Sequence, residues 1–205
     1  MIRAGGELAA CALLASLAVL GGSAQQAAVN PGQLNESGHI IEAGHSVPYL
    51  IRHLPVSSFP ELPATIQEQL NRRGCLIPQT YEARHPENVI HGSFEKPGSS
   101  DWAALCSEKG NVSLLVFFAS AADKPSALDS SQETEHLQAH DPSGVLGFSW
   151  GIDSATPEQV REAQIGMEPR PQMLDHDSVA ASVVEHRAVY HYYAKNAWKL
   201  VDMPE

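Results

Sequence analysis

The chain is poor in positive charge, in aromatic side chains and in cysteine. Lys and Arg number 13 against 24 Asp and Glu, a net charge of −11. So acidic a surface repels phosphate backbones, and the few basic residues form no cluster, which excludes general nucleic-acid binding. Aromatic residues make up 6% and there are 3 cysteines. No internal repeat is present, and neither is H-E-x-x-H, a Walker loop or a dinucleotide fingerprint, so the usual zincin, nucleotide and nicotinamide chemistries have no local signature. No apolar run approaches the roughly 20 residues that a membrane-spanning helix needs. What the chain does have is 205 residues, 43% of them hydrophobic, enough for one domain with a real core and too ordered in composition for collagen, coiled coil or wholesale disorder.

Residues 1–24 follow the order of a secretory signal peptide: Arg3, partly offset by Glu7, then an apolar stretch from Leu8 to Leu20, then Gly22-Ser23-Ala24 as small residues for cleavage. The segment predicts export to the periplasm or the medium, a new N-terminus at Gln25 and no stable membrane insertion after its removal. Leu8-Ala9-Ala10-Cys11 has the letters of a lipoprotein cleavage site, but the cysteine precedes the apolar stretch instead of following it. Cys75 and Cys106 then remain. In an oxidising compartment two remaining cysteines pair, and closing the 31-position loop is worth roughly 3.5 kcal/mol in a chain-entropy estimate. Two inert thiols, or a catalytic cysteine with a nearby base, are the alternatives.

Residues 25–38 are polar and carry Pro31, Gly32 and Gly38, the composition of a flexible leader; residues 39–205 are expected to form the single domain. Leu62, Ile66 and Leu70 make one helical stripe over Pro63–Arg73, with Gly74 as the stop. Asn88–Phe94, Asp101–Ser107 and Asn111–Ala119 read as strands, the last central because Leu114–Phe118 is apolar without alternation. Asp123–Asp141 reads as a polar surface excursion, and Val145–Ile152 as a further strand. Thr156-Pro157-Glu158-Gln159 opens a helix with a capping box. The chain closes in a hairpin, Arg187–Ala194 and Ala197–Asp202, turning at Lys195-Asn196. The sum is an α+β domain: a largely antiparallel sheet packed by two or three short helices.

Four groups of residues carry candidate chemistry. Gly147-Phe148-Ser149-Trp150-Gly151 matches the G-x-S-x-G nucleophile elbow, with Asp175 or Asp177 and then His186 or His191 in the order a hydrolase triad needs. The helix signal, however, arrives only at Thr156-Pro157, and a helix starting at Trp150 would hold Pro157 at a cost of about 3 kcal/mol. His136 and His140 stand four apart, with Glu133 and Asp141 nearby, two ligands toward the three or four of a zinc site. They belong to ten histidines that also include His39, His45, His53, His85, His91 and His176. Asp175-His176-Asp177 suits an acid–base group, a metal corner or a simple cap. Tyr190, Tyr192, Tyr193, Trp198 and Trp102 suit an aromatic recognition face or plain packing, with Tyr190 and Tyr192 on one side of the last hairpin and Val189, His191 and Tyr193 on the other.

Arg73-Gly74-Cys75-Leu76-Ile77-Pro78-Gln79, Asn88-Val89-Ile90-His91-Gly92-Ser93-Phe94 with Gly98 and Asp101-Trp102-Ala103, and later Pro169-Arg170-Pro171, Asp175-His176-Asp177 and Tyr192-Tyr193 with Trp198 together resemble a group of secreted proteins of environmental bacteria, acidobacteria especially. The resemblance implies export and a shared fold over residues 60–202 and supplies no catalytic residues. Gly92-Ser93-Phe94 and Asp101-Trp102-Ala103 also resemble a single FG-GAP unit, but Glu95-Lys96-Pro97-Gly98-Ser99-Ser100 between them lacks the oxygens calcium requires. The expectation is therefore a non-enzymatic binding or structural protein of the cell envelope, without a cofactor, whose partner is a protein or a small molecule. A serine hydrolase using Ser149 and a histidine-based metal binder are the alternatives.

Overall fold

Turn chemistry sets the entry into the fold. Ala43 and Gly44 both hold positive φ, 48° and 83°, the paired left-handed geometry of a two-residue hairpin turn. They join β1 (Leu34–Glu42) to β2 (His45–Pro55) in continuous antiparallel register from Leu34↔His53 to Glu42↔His45. The computed structural model describes residues 34–202 apart from 169, 171–172 and 187. The expected signal peptide and residues 25–33 lie outside that range. Leu34–Gly38, expected in the leader, instead form the first half of β1, because β2 offers them a full row of backbone partners.

Helix α1 (Ala64–Arg73) starts after Pro63 and stops at Gly74, whose φ of 75° is the left-handed cap. Its stripe, Leu62, Ile66 and Leu70, is buried with Phe59 against Leu54, Ile77, Ala104, Leu115 and Phe117. Strands β3 (Leu76–Gln79), β4 (Val89–Gly92), β5 (Asp101–Glu108) and β6 (Asn111–Phe117) follow. β6 is central as expected: Val112, Leu114 and Val116 face one core, Leu115 and Phe117 the other. Asp101, fully buried, accepts from the amides of Glu95 and Ala119 and from the Ser99 hydroxyl. That satisfied carboxylate braces the loop where the FG-GAP resemblance lies.

The stretch Asp123–Asp141 is where the expected pattern fails most. It contains β7 (Ser126–Gln132), a 3-10 turn (Glu133–His136) and β8 (Leu137–Ala139). Its polarity reflects an edge strand with one wet face, not a loop. The strand expected over Val145–Ile152 is two: β9 (Leu146–Phe148) and β10 (Trp150–Ala155), broken at Ser149. β9 runs parallel to β2 in the nine-stranded sheet, so that sheet is mixed, whereas β10 begins a second sheet. Helix α2 (Pro157–Ala163) carries the expected capping box between Thr156 and Gln159. β11 (Ser178–Val183), β12 (Ala188–Ala194) and β13 (Ala197–Asp202) complete the small antiparallel sheet in the order β10-β11-β12-β13. Lys195 and Asn196 turn the last hairpin at φ 55° and 59°.

These elements stack as four layers. Ile51, Phe94, Leu105 and Leu114 of the large-sheet side meet Trp150, Ile152, Val179 and Ala181 of the small sheet in one core. The far face of the small sheet, with Tyr190 and Tyr192, lies under Val160 of α2. The result is a single sheet-rich domain with two α-helices among the described residues.

Cys75 and Cys106 are bonded, with Cα atoms 5.1 Å apart, tying the residue after the α1 cap to β5. No helix among the described residues is long and apolar enough to cross a membrane.

Candidate functional site

A cleft of about 900 Å³ opens where the two sheets diverge, and a β-bulge shapes it. β6 and β7 pair as Leu114↔Asp129 and then Leu115↔Ala127, leaving Leu128 extra. A bulge re-aims the side chains around it. Here both Leu128 and Asp129 line the cleft. The small sheet supplies Trp150, Ala181, Val183, Val189 and His191. The rim carries Glu185 and His186 from the turn after β11. No Lys or Arg stands on its walls among the described residues.

His136 is held firmly. Its ring stacks on Trp150 at 4.4 Å and 25°, meets Phe148 edge-on, and its Nε2 shares a 2.6 Å hydrogen bond with the Ser131 hydroxyl. Burial pushes the imidazole below its usual value, and the charges of Asp129, Glu135 and Glu133 only partly offset this. His191, on β12 opposite Val179 and Leu200, is likewise pushed down by burial and pulled up by Asp129. Both rings are therefore neutral at pH 7, each with one donor and one acceptor nitrogen. Asp129 acts electrostatically on both. A carboxylate lining a largely apolar cleft together with two uncharged imidazoles favours a cation or a strong hydrogen-bond donor.

The serine elbow is not assembled. Ser149 is 1% exposed and joins two strands, and α2 begins only at Pro157. Its hydroxyl donates to the His136 carbonyl. The triad acids are engaged elsewhere: Asp175 bonds His176 Nδ1 at 2.7 Å, and Asp177 accepts the Ser93 amide at 3.0 Å. With His176 Nε2 bonding the Tyr193 carbonyl, Asp175-His176-Asp177 is a clasp between the β4–β5 hairpin and the small sheet.

His136 and His140 are not brought together. A turn ending in an extended strand replaces the helix their spacing requires, and the two rings open onto different cavities. His140 stacks on Tyr81 at 4.5 Å and 11°, beside Arg52 in a cavity of about 290 Å³. That stack explains Gly147: a Cβ there would stand 2.5 Å from the Tyr81 Cβ.

Comparison with protein-family models, with curated proteins and with solved structures found no match to this chain. The site therefore stands on its own chemistry.

The aromatic residues pack on one another. Tyr193, Trp198 and Phe118 form one ring cluster, Trp102 meets His91, and Tyr190 and Tyr192 lie beneath α2. Sequence reasoning did place His191, Val189 and Tyr193 on one side of β12, and His191 does reach the cleft. It missed Asp129. The available signal was faint: Ser126–Gln132 contains neither Gly nor Pro, which fits a strand better than a loop.

Proposed function

We propose that the protein is an exported binding protein of the cell envelope, and that the cleft between its sheets takes a small organic cation with an apolar body. The carrying observation is Asp129. It lines the cleft with His136 and His191, which burial keeps neutral, and its charge acts on both; the cleft has no Lys or Arg among its described walls. Leu128, Val183, Val189 and Leu200 offer apolar surface to the ligand's body. Asp129 offers a carboxylate to a protonated nitrogen, and the two imidazoles offer acceptor nitrogens beside it. A cleft of about 900 Å³ suits a ligand of drug-like size or smaller. The Cys75–Cys106 bond accords with an oxidising compartment.

Calorimetric titration with 2-phenylethylammonium and with 3-phenylpropionate, similar in shape and opposite in charge, tests this reading. Binding of the ammonium alone, weakened at least tenfold by Asp129→Asn, is the expected result. Equal binding of both ions, or indifference to Asp129→Asn, overturns it.

A further inference from the structure

β1, β2 and the 3-10 turn after β7, the turn that also presents His136, bring a histidine and two glutamates together. His53 and Glu133 are 2% and 1% exposed. His53 Nε2 lies 2.7 Å from Glu133 Oε1. The other carboxylate oxygen, Glu133 Oε2, is buried without any hydrogen-bond partner. An orphaned buried carboxylate oxygen is costly and calls for a positive partner. Glu36 stands on the same face as His53: the register pairs Leu34 with His53 and Glu36 with Ile51, two residues along. Glu36 is exposed, so the cluster is open to solvent on that side. One ligand-type atom from each of Glu36, His53 and Glu133 lies within 4.8 Å of the others.

Tyr49 frames the group. Its hydroxyl donates to Glu36 Oε1 at 3.4 Å, and its ring crosses Gly38, where a Cβ would come within 2.8 Å. Burial first, then the negative charges of Glu36 and Glu133, pushes the phenol upward. The cluster holds two carboxylates and an imidazole, and none of the three forms an ion pair with a Lys or Arg among the described residues.

We propose that Glu36, His53 and Glu133 are ligands of a zinc-class divalent cation, with a water in the fourth position on the Glu36 side. The donor set selects the class. Zinc takes imidazole nitrogen and carboxylate oxygen at about 2.0–2.2 Å, which in tetrahedral geometry sets donors about 3.4 Å apart. The three donor atoms lie within 4.8 Å of one another, with His53 Nε2 and Glu133 Oε1 2.7 Å apart, and Glu36 is the exposed member whose side chain adjusts on binding. Calcium and magnesium prefer all-oxygen shells and are disfavoured by the imidazole. On binding, the proton between His53 Nε2 and Glu133 Oε1 leaves to solvent, and the metal takes both lone pairs. The second carboxylate oxygen then gains the positive partner it lacks. Glu36, His53 and Glu133 are not among the residues that line the cleft, although Glu133 shares its 3-10 turn with His136.

The test uses tag-free protein stripped with a chelator and titrated with zinc against a chromogenic competitor. One zinc per chain is expected, bound at least tenfold more weakly by Glu36→Gln and not at all by His53→Asn, with His45→Asn as a surface-histidine control that binds like the parent. Because His53→Asn risks the fold, Glu36→Gln decides: its side chain is exposed, and an unchanged circular dichroism spectrum establishes that it is folded. Saturating zinc should also raise the unfolding midpoint of the parent and not that of Glu36→Gln. Absence of stoichiometric binding, or binding unchanged in Glu36→Gln, overturns the proposal and assigns any bound zinc to other histidines.

Discussion

Ser149 donates both its amide and its hydroxyl to the main-chain carbonyl of His136, each at 2.8 Å. The serine of the G-x-S-x-G sequence is thus a fastener for the turn that presents His136 to the cleft. It also marks the point where the chain leaves the large sheet for the small one, since Val184 returns a hydrogen bond to the Ser149 carbonyl. Ser149→Ala should keep the fold and lose about 0.5–1.5 kcal/mol, the worth of one hydrogen bond. Urea unfolding measures that loss. A fluorophosphonate probe should leave Ser149 unlabelled in the native parent protein, and labelling there would restore the hydrolase reading.

The disulfide is expected to be structural. Alkylation of denatured, unreduced protein should modify neither Cys75 nor Cys106. Reduction should cost about 2–4 kcal/mol, for a loop of this length, read as a lower unfolding midpoint. The bond joins the α1 cap to a strand buried on both faces, so reduction should loosen the helical layer before the inter-sheet core.

Acid should weaken the fold through His136 and His191. Unfolded, both protonate near 6.5, and in the folded protein burial holds both lower. Between those values the unfolded chain binds more protons, so stability falls as pH drops through about 6.5 and levels off below the folded-state values. Above that range these groups contribute nothing. The acids facing them are Asp129, Glu133 and Glu135 for His136, and Asp129 for His191. A series of unfolding midpoints from pH 8 to pH 5 should show the decline, and it should be shallower in His191→Gln. Affinity for an organic cation should fall over the same interval, as the imidazoles gain positive charge beside Asp129.

Removing one member of the His53–Glu133 pair should be among the costliest single changes in the chain. Glu133→Ala leaves His53 buried without its partner, at about 3–5 kcal/mol. The double change His53→Leu with Glu133→Leu removes both polar groups and should cost less than Glu133→Ala alone. Denaturant midpoints for the single and double variants give the comparison. A double variant less stable than Glu133→Ala would mean that the pair contributes net stability to the fold.

Features written within a few residues of one another were legible from the chain alone. The α1 stripe with Pro63 and Gly74, the Thr156–Gln159 capping box, the Lys195-Asn196 turn and the unbroken apolar run of β6 all depend on local backbone geometry, and each is present. The Cys75–Cys106 bond was legible by count on the expectation that the segment holding Cys11 is removed and the compartment is oxidising. Tertiary structure decided the rest. Asp129 faces the cleft because of one extra residue in β7, and a bulge flips side-chain faces without changing composition. His136 and His140 part company because tertiary pairing with β9 draws the stretch between them into a strand. Ser149 sits at a junction of strands, without the helix that a nucleophile elbow needs, because two sheets meet there. His53 and Glu133 are 80 positions apart. Nothing in either local sequence marks the other, because their meeting is set by the register of β2 and the path of the chain out of β7, which only the packed fold specifies.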